Sequence, residues 1–392
     1  MFVSNSIRQS AKPTLLRKYN LDAIVRQLQI HAPLSRAELV RKTGMSYPTV
    51  MKICDRLIEE KLIETCDAKK HALGRPGNPL RMARDVSQII SISLGPDSYR
   101  VAVAGLDGTI IKERQLSLPK SYQKLLIDIE SDVSRLKRER RARTVGLGVS
   151  IPGTLTTHSS TKLQTINSPN VPILNGKSLS QDISHCTKTH TVVSETMHCQ
   201  LRAESIQGQA VDLDDYVILN YRGGLGLAVV SNGKKVTSSG STGGEIGHIV
   251  IDPLGERCGC GNRGCLETLS TDIALLKAIS RKLKRDVSLD EMIIMLQDSS
   301  HLFSKEIDFT LDYLAMSAGV TINLFRPQVL FLNGHFLEAD PSLLKRLIDK
   351  IKLRSLKQFF QRCRISIAKS DTLQGAALAV VDQLINELHS EY

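Results

Sequence analysis

Four residues in the second half of the chain have the types and spacing of a metal site. His248 is followed by Cys258, Cys260 and Cys265, which gives the pattern His-x9-Cys-x-Cys-x4-Cys. Three thiolates and one imidazole make up a tetrahedral ligand set that suits Zn²⁺. Because four protein ligands leave no open position, the pattern predicts a structural zinc site and not a hydrolytic one. The alternative is three free cysteines that lie together by coincidence.

Length and composition indicate a soluble protein with more than one domain. The 392 residues exceed the usual size of a single core, so we expect two or three domains. No stretch approaches the roughly 18 apolar residues of a membrane span, and the first residues lack the apolar run of a signal peptide. We therefore expect a cytoplasmic protein without membrane insertion, in which crowded cysteines bind metal instead of forming disulfides.

The positive charge of the chain is concentrated near its start. The net charge is +12, and residues 1–85 hold 16 Lys and Arg against eight Asp and Glu. A basic head on a nearly neutral body favours a polyanionic partner for the head, although a solvated lysine-rich surface would carry the same charge. Aromatic residues make up only 4% of the chain, which argues against a stacking surface for single-stranded nucleic acid.

Two short helices separated by a glycine turn are predicted between residues 35 and 58. Ser35 and Glu38 have the spacing of a capping box at the start of the first helix. Gly44 suits the left-handed residue that ends a helix, and Ser46 is placed to cap the second one. An upstream apolar face at residues 21–28 supplies a third helix. This pattern predicts a helix-turn-helix, although a plain three-helix packing unit would share it.

The segment after these helices predicts a wing. Strand-like residues 62–65 and 80–82 flank a basic loop rich in glycine and proline, so the head reads as a winged helix-turn-helix. The helix that starts at Ser46 would enter the major groove of double-stranded DNA. Its outward positions are Ser46, Tyr47, Thr49 and Lys52.

Basic residues around this helix are predicted to contact the DNA in two ways. Arg75, in the sequence Gly-Arg-Pro, is predicted to enter a narrow minor groove; a simple surface turn is the alternative. The remaining basic side chains are better suited to phosphates than to bases. They are Arg36, Arg41, Lys42, Lys69 and Lys70.

The body reads as α/β. Consecutive strands are predicted at residues 89–94, 100–104 and 109–111, with a hairpin turn at 106–108. Further buried strands are predicted at 144–150 and 215–220, with helical segments between them. This order of elements is typical of layered α/β domains.

The zinc motif and several other stretches resemble the ROK family of repressors, open reading frames and sugar kinases. The matching stretches are 150–153 (SIPG), 168–170 (SPN), 220–229 (NYRGGLGLAV), 243–248 (GGEIGH), 332–335 (LNGH) and 374–377 (QGAA). The resemblance runs from about residue 86 to the end. The winged head with its Gly-Arg-Pro loop matches the repressor branch of the family, so nearly the whole chain is covered.

This resemblance implies a two-lobed, actin-like (ribonuclease H-like) sugar-kinase fold. We expect a winged helix-turn-helix domain at residues 1–85 and the N-terminal α/β lobe at 86–200. The C-terminal α/β lobe, with the zinc motif and a closing helix, is expected at 201–392. The family forms dimers or tetramers, so a homodimer or homotetramer is implied, and the sequence does not choose between them.

The chain departs from the family's kinases at two places. In the kinases, a glycine-rich first hairpin accepts ATP phosphates; here the expected Asp falls on Ser93 and the second glycine on Pro96, which removes a backbone donor. The Asn-Asp pair that supplies the general base aligns with Glu195 and Thr196. A threonine hydroxyl is not a usable base near neutral pH. We therefore predict no catalytic residues and no enzyme activity.

The resemblance also implies a sugar site. The ligand contacts implied are Asn170, Glu195, Glu245, His248 and Glu267. Carboxylates accept strong hydrogen bonds from hydroxyls, and His248 would offer the ligand the ring nitrogen that the zinc does not use. Glu195, Thr196 and His198 replace residues that most sugar-binding relatives use, so the alternative is that Glu245 and Glu267 only hold the zinc loop.

The sequence thus predicts an operator-binding transcription regulator, with repression of carbohydrate-related genes as the expected activity. A sugar or sugar-phosphate effector in the body would change the spacing of the DNA-binding heads. Two other functions stay open. One is a regulator that is controlled by a protein partner and keeps a vestigial sugar pocket. The other is an active sugar kinase with an appended basic domain.

Overall fold

The computed structural model describes residues 13–66, 78–158, 163–236, 243–369 and 371–390. These residues form two compact units. The first contains the described residues up to 151 together with 178–194 and 371–390, and the second contains those from 152–177 and 195–369. Within the described ranges, no helix is both long enough and apolar enough to cross a membrane.

The chain begins with three helices and a two-stranded sheet. Helices α1, α2 and α3 span Pro13–His31, Arg36–Thr43 and Tyr47–Glu59. Strands β1 (Ile63–Thr65) and β2 (Leu80–Met82) pair antiparallel, with Ile63 opposite Met82. The predicted helical hairpin and both wing strands are therefore present. Residues 67–77, at the predicted tip of the wing, lie outside the described residues.

The body consists of strands interleaved with helices. Its strands are β3 (Ser87–Leu94), β4 (Ser98–Ala104), β5 (Ile110–Ser117), β6 (Arg143–Ile151), β7 (Thr154–Thr157), β8 (Gln164–Asn167), β9 (Thr191–Glu195), β10 (Tyr216–Asn220), β11 (Gly226–Ser231), β12 (Lys234–Lys235), β13 (Gly243–Gly244), β14 (Val329–Asn333) and β15 (Arg364–Ile367). Its helices are α4 (Tyr122–Glu139), α5 (Leu179–Thr187), α6 (Thr196–Ile206), α7 (Glu267–Ser270), α8 (Asp272–Leu283), α9 (Leu289–Ser299), α10 (Ser304–Phe325), α11 (Phe336–Ala339), α12 (Pro341–Arg354), α13 (Lys357–Phe360) and α14 (Thr372–Ser390).

The first unit is built on a five-stranded sheet with the order β5-β4-β3-β6-β9. The central strand β3 pairs antiparallel with β4 and parallel with β6, and the closing helix α14 packs on β3 and β6. Gly148 of β6 allows this close packing, because an added Cβ would meet the carbonyl oxygen of Ala376 at 2.1 Å. The strands predicted at residues 89–94, 100–104, 109–111 and 144–150 are present as β3, β4, β5 and β6.

The head and the closing helix share one hydrophobic core. Buried residues of α1, such as Ile24 and Leu28, belong to the same cluster as Val380 and Ile385 of α14, and Ile89 of β3 joins it. His389 adds a 3.1 Å contact from its Nε2 to the Oδ1 of Asp22 in α1. The head is therefore continuous with the first sheet across residue 85, instead of being joined to it by an extended linker.

The second unit is built on a sheet with the order β12-β11-β10-β14-β15, with β13 also paired to β11. Strand β10 is parallel to β14 and antiparallel to β11. Both β10 and β14 are buried along their whole length, as expected for strands covered on both faces. Helix α10 lies at the centre of the helical layer and packs against α7, α8 and α12.

Candidate metal centre and DNA-binding head

The predicted zinc ligands come together in the second unit. The four ligand atoms of His248, Cys258, Cys260 and Cys265 all lie within 4.8 Å of one another. The Sγ atoms of Cys260 and Cys265 are 3.7 Å apart, and the Sγ of Cys258 lies 3.5 Å from the Nδ1 of His248. A tetrahedron with metal–sulfur bonds of about 2.3 Å has edges of about 3.8 Å. The spacing of these atoms fits a tetrahedral metal ion.

Backbone hydrogen bonds within the metal-binding loop hold its turns in place. The amides of Ile251 and Cys258 donate to the carbonyls of Gly264 and Asn262 at 2.8 Å each. Gly264 has a φ of +66°, and a Cβ there would lie 1.5 Å from the carbonyl oxygen of Asp252. Only glycine fits this position. The glycines between the cysteines thus let the chain turn tightly enough to aim three thiols at one point.

The three thiols sit in unlike surroundings. Burial raises the pKa of Cys258 and of Cys265, whereas the backbone N–H of Asn262 lowers the pKa of Cys260. A zinc ion binds thiolates, so it must displace protons from the two buried thiols.

Three of the predicted ligand-binding residues surround the metal-binding cluster. The Nε2 of His248 lies 3.7 Å from Glu245, whose side chain is 61% exposed. Glu267 begins α7, and its Oε1 accepts a 2.9 Å hydrogen bond from the thiol of Cys258. Asn170 lies close to Glu267. A Cβ atom added to Gly224 would lie 2.8 Å from the Nδ2 of Asn170 and 3.0 Å from the Oε2 of Glu267. The structure thus brings Asn170, Glu245, His248 and Glu267 together.

Glu195 has different neighbours. Its carboxylate is buried, accepts a 2.9 Å hydrogen bond from the amide of Leu155 and lies 3.7 Å from the Nδ1 of His198. Burial, with the positive charges of Lys235 and Arg202, lowers the pKa of His198 to about 4. His198 is therefore neutral at pH 7 and cannot serve as a charged partner for Glu195.

The first hairpin of the body is closed by contacts that the sequence did not predict. Within the turn, the amide of Gly95 donates to the carbonyl of Ser98 at 2.9 Å. Ser93 lies 2.7 Å from the hydroxyl of Thr372 at the start of α14. Arg100 of β4 donates through both terminal nitrogens to the carboxylate of Asp371, at 2.6 and 2.5 Å. The hairpin is thereby tied to α14 by the chain's own side chains.

The helix-turn-helix has the predicted caps. The hydroxyl of Ser35 accepts from the amide of Glu38, and the Glu38 carboxylate accepts from the amide of Ser35 at 2.7 Å, which completes the capping box. Gly44 ends α2 with a φ of +67°. The Ser46 hydroxyl then accepts from the amide of Thr49 at the start of α3, and Pro48 lies in the first turn.

The predicted DNA-contacting residues of the head differ in accessibility. Ser46, Tyr47 and Lys52 are exposed on α3, whereas Thr49 is half-buried with its hydroxyl 2.8 Å from that of Ser46. Arg36 is engaged within the head, since its guanidinium donates to Asp55 of α3 at 2.8 Å. Arg41 and Lys42 are exposed at the end of α2. Lys69, Lys70 and Arg75 lie outside the described residues.

One buried carboxylate joins the wing to the body. Glu64 of β1 accepts hydrogen bonds from the backbone amides of Arg84, Asp85 and Val86, at 3.1–3.2 Å. The Nε of Arg81 donates to it at 2.8 Å. Burial acts to raise the pKa of Glu64, but these hydrogen bonds outweigh it and hold the pKa below its ordinary value. No sequence motif indicated this junction.

Comparison with known proteins finds one family profile and several transcription regulators that match this chain. A profile described as the ROK family matches residues 89–383. The chain is 27% identical over 378 residues to the DNA-binding transcriptional dual regulator NagC of Escherichia coli (strain K12), which covers 93% of this chain and 91% of that one. It is 25% identical over 388 residues to the xylose repressor of Bacillus spizizenii, covering 96% of this chain and 98% of the relative.

The fold is also found among solved structures. The crystal structure of a ROK family transcriptional regulator, a homolog of the E. coli MLC protein, superposes with a TM-score of 0.75. It is 24% identical in sequence and covers 96% of this chain and 100% of its own. The expected actin-like fold with a preceding head is thereby confirmed.

Proposed function

This chain belongs to the ROK family, and we propose that it is a sequence-specific DNA-binding transcription regulator, a repressor of carbohydrate-related genes. The observation that carries the proposal is the winged helix-turn-helix. Its capped helix α3 leaves Ser46, Tyr47 and Lys52 exposed for a DNA groove. Relatives that extend over nearly the whole chain are named as a DNA-binding regulator and as a repressor, which supports the same function.

We infer that a sugar or sugar derivative is the effector. The polar group formed by Asn170, Glu245, His248 and Glu267 supports this, because it combines carboxylates with an amide and an imidazole. Glu245 is the most accessible of them and would accept hydrogen bonds from ligand hydroxyls. Glu195 is retained as a further contact in this proposal. Control by a protein partner is the second candidate, supported by Glu195 and Thr196, which stand at the aligned positions of the family's Asn-Asp pair.

The metal proposed for the centre is zinc. His248 would bind it through Nδ1, the nitrogen that lies nearest to the thiol of Cys258, together with the three cysteines. A bound zinc ion would act as a cross-link that fixes the loop and does no chemistry on a substrate. The other ring nitrogen of His248, Nε2, would stay available for hydrogen bonds to Glu245 and to the effector.

The chain is proposed to lack kinase activity. Thr196 occupies the aligned position of the general base, and Pro96 and Ser93 occupy the phosphate hairpin. The Arg100–Asp371 pair supports this further, because it ties the same hairpin to α14. A coupled ATP-consumption assay over a panel of sugars tests the proposal. Turnover that is lost on Glu195→Gln would overturn it and favour the kinase alternative.

Genome-wide DNA binding, with and without candidate sugars, tests the regulatory function. We expect a small set of sites beside carbohydrate genes, released by one sugar. On a recovered site, Lys52→Ala should reduce affinity about tenfold, since one good base contact is worth about 1–3 kcal/mol. Lys120→Ala, an exposed lysine on the body, is the matched control and should bind like the wild type. The proposal would be contradicted if the wild type, Lys52→Ala and Lys120→Ala all bound every DNA sequence with equal affinity.

A further inference from the structure

A run of basic residues surrounds the end of helix α4. Residues 135–143 read RLKRERRAR, so six of these nine positions are Lys or Arg and one is Glu. The last turn of a helix favours cations, because its free carbonyl groups carry partial negative charge. This effect accounts for the basic residues up to the end of α4 at residue 139. It does not account for Arg141 and Arg143, which lie beyond the helix.

Half of these six cations have partners within the protein. Arg135 donates to the carboxylate of Glu139 at 2.7 Å. The Nζ of Lys137 donates to the last backbone carbonyl of α5 at 3.0 Å. Arg140 donates to the backbone carbonyl of Arg84 at 2.9 Å. Contacts of this kind give three of the six basic residues a structural role.

The other three cations are exposed and unpaired. Within the described part of the chain, the side chains of Arg138, Arg141 and Arg143 make no ion pair or hydrogen bond. We call these three residues the junction patch. Lys188 adds another exposed cation close by, since it follows the carbonyl that Lys137 contacts. Cations crowded in this way repel one another, and a bound polyanion relieves the repulsion.

Two acidic residues lie beside the junction patch, and both are paired. Glu139 accepts a second hydrogen bond, from the Nζ of Lys112, at 2.6 Å. Asp85 accepts from the guanidinium of Arg81 at 2.7 Å. Neither carboxylate is therefore left to neutralise the junction patch, which suits a ligand with closely spaced negative charges.

The junction patch lies next to the wing of the DNA-binding head. The amide of Arg143 donates to the carbonyl of Val86 at 3.1 Å, and the amide of Val86 donates to Glu64 of β1 at 3.1 Å. Two hydrogen bonds thus connect Arg143 with a wing strand. The head and the junction patch also belong to the same compact unit. The basic surface of the head therefore continues onto the body.

We propose that the junction patch is a second DNA-contacting surface, which binds phosphates of the duplex beside the sequence that the head reads. Duplex DNA carries one negative charge per about 1.7 Å of its axis, which suits a row of neighbouring cations. Guanidinium groups bind phosphates well, because they offer several N–H donors in a planar fork. Such contacts add affinity without reading sequence. The inference rests on the proposed function, since it extends DNA binding from the head to the body.

The length of the DNA tests the proposal. A duplex trimmed to a recovered binding site is compared with one extended by about ten base pairs, one helical turn, at each end. The wild type should bind the extended duplex on the order of tenfold more tightly. The slope of log K against log salt should be steeper by about 2–3, since each phosphate contact contributes about 0.9. Flanks of unrelated sequence should give the same gain.

Replacing the junction patch should abolish this gain. The triple variant Arg138→Ala, Arg141→Ala, Arg143→Ala should show equal affinity for the two duplexes and keep its preference for the site. The matched control loses the same net charge through alanine substitution of three exposed lysines in the second unit, Lys345, Lys352 and Lys357. This control should keep the gain of the wild type. Circular dichroism should show the same fold for all three proteins.

The outcomes separate this inference from the proposed function. A wild type that prefers its site but binds both duplexes equally would overturn the inference alone, and so would a gain that the triple variant keeps. A wild type that does not distinguish its site from unrelated DNA would contradict the proposed function and the inference with it. Binding to phosphatidylglycerol vesicles that the triple variant loses, with its gain on DNA unchanged, would assign the junction patch to a lipid surface and overturn the inference.

Discussion

At the scale of single residues, side-chain type and spacing indicated the metal centre well because its ligands are close in sequence. His248 and the cysteines up to Cys265 lie within one short loop, so their number and softness could be read directly. The anchoring of Arg100 by Asp371 could not be read in the same way, because 271 positions separate the two. The role of Glu64 could not be predicted either. Three of its hydrogen-bond donors are backbone amides, which are present at nearly every residue and therefore leave no pattern in the sequence.

Replacing one zinc ligand should remove the metal. In Cys265→Ser, the hydroxyl is a poor substitute for a thiolate, so elemental analysis should fall from about one zinc per chain to nearly none. The melting temperature should drop by several degrees, since about 1 kcal/mol is worth roughly 2–4 °C in a domain of this size. Cys186→Ser, a cysteine of α5 outside the cluster, should retain its zinc. A wild type without zinc would refute the proposed centre.

Glu64→Gln should weaken the junction between wing and body. An amide accepts fewer hydrogen bonds than a carboxylate, so the free energy of unfolding at pH 7 should fall by about 1–3 kcal/mol. Folding lowers the pKa of Glu64, so its contribution is complete above the ordinary pKa of 4.5 and is lost as pH falls through the folded pKa. Urea unfolding should therefore show a gap between variant and wild type that begins to narrow near pH 5.

The exposed Glu59 gives the control for this measurement. Glu59→Gln should cost little at any pH, because a solvent-exposed carboxylate without buried partners contributes little. A gap for Glu64→Gln that stayed constant down to pH 4 and below would indicate that the carboxylate charge is not what stabilises the junction.

At the scale of elements, helices with caps were the easiest features to predict. Ser35, Gly44 and Ser46 marked both ends of α2 and the start of α3 within a residue, because capping is local chemistry. Strand β5 was predicted at 109–111 but continues to Ser117. Most of its residues are exposed and three of them, Lys112, Glu113 and Arg114, are charged, as on an edge strand, so it lacks the apolar alternation that identifies a strand. The exposure of Phe309 and Leu324 on α10 also escaped prediction, since apolar periodicity does not say which face of a helix is covered.

Ser46 should affect helix stability and DNA binding separately. Ser46→Ala removes the cap of α3 and should cost about 1 kcal/mol of stability by urea unfolding. Ser46→Asp keeps an acceptor at the cap and adds a charge that suits a helix N-terminus, so its stability should match the wild type. The same charge would face DNA phosphates, so Ser46→Asp should bind operator more weakly than Ser46→Ala. The opposite ranking in affinity would place α3 away from the DNA.

At the scale of the whole molecule, the charge distribution indicated a class of binding partner for the head, but it did not indicate how the head packs against the rest of the chain. The excess of Lys and Arg before residue 85 indicated a nucleic-acid-binding head and a separate body. The structure instead gives the head a common core with α14, through Leu28 and Val380 among others. Long-range packing of this kind depends on which apolar faces meet, and local patterns do not contain that information. Domain limits at residues 85 and 200 therefore remain a prediction.

Operator affinity should depend steeply on salt. Each phosphate that a basic side chain neutralises releases counterions, so six or more phosphate contacts would reduce affinity about 10³-fold between 50 and 200 mM salt. A titration by fluorescence anisotropy measures the slope. Lys52→Ala should make the slope shallower if Lys52 binds a phosphate and leave it unchanged if Lys52 binds a base. A flat response of the wild type would contradict a basic head on DNA.

The shared core of α1 and α14 has a consequence for synthesis on the ribosome. The head is translated first, yet Leu28 and Ile24 are covered by residues that emerge more than 340 positions later. A nascent or prematurely terminated chain therefore presents an unfinished head with an exposed apolar surface. Only a chain translated through α14 has a complete head, so we expect incomplete products to bind operators poorly and to be cleaved more readily by proteases.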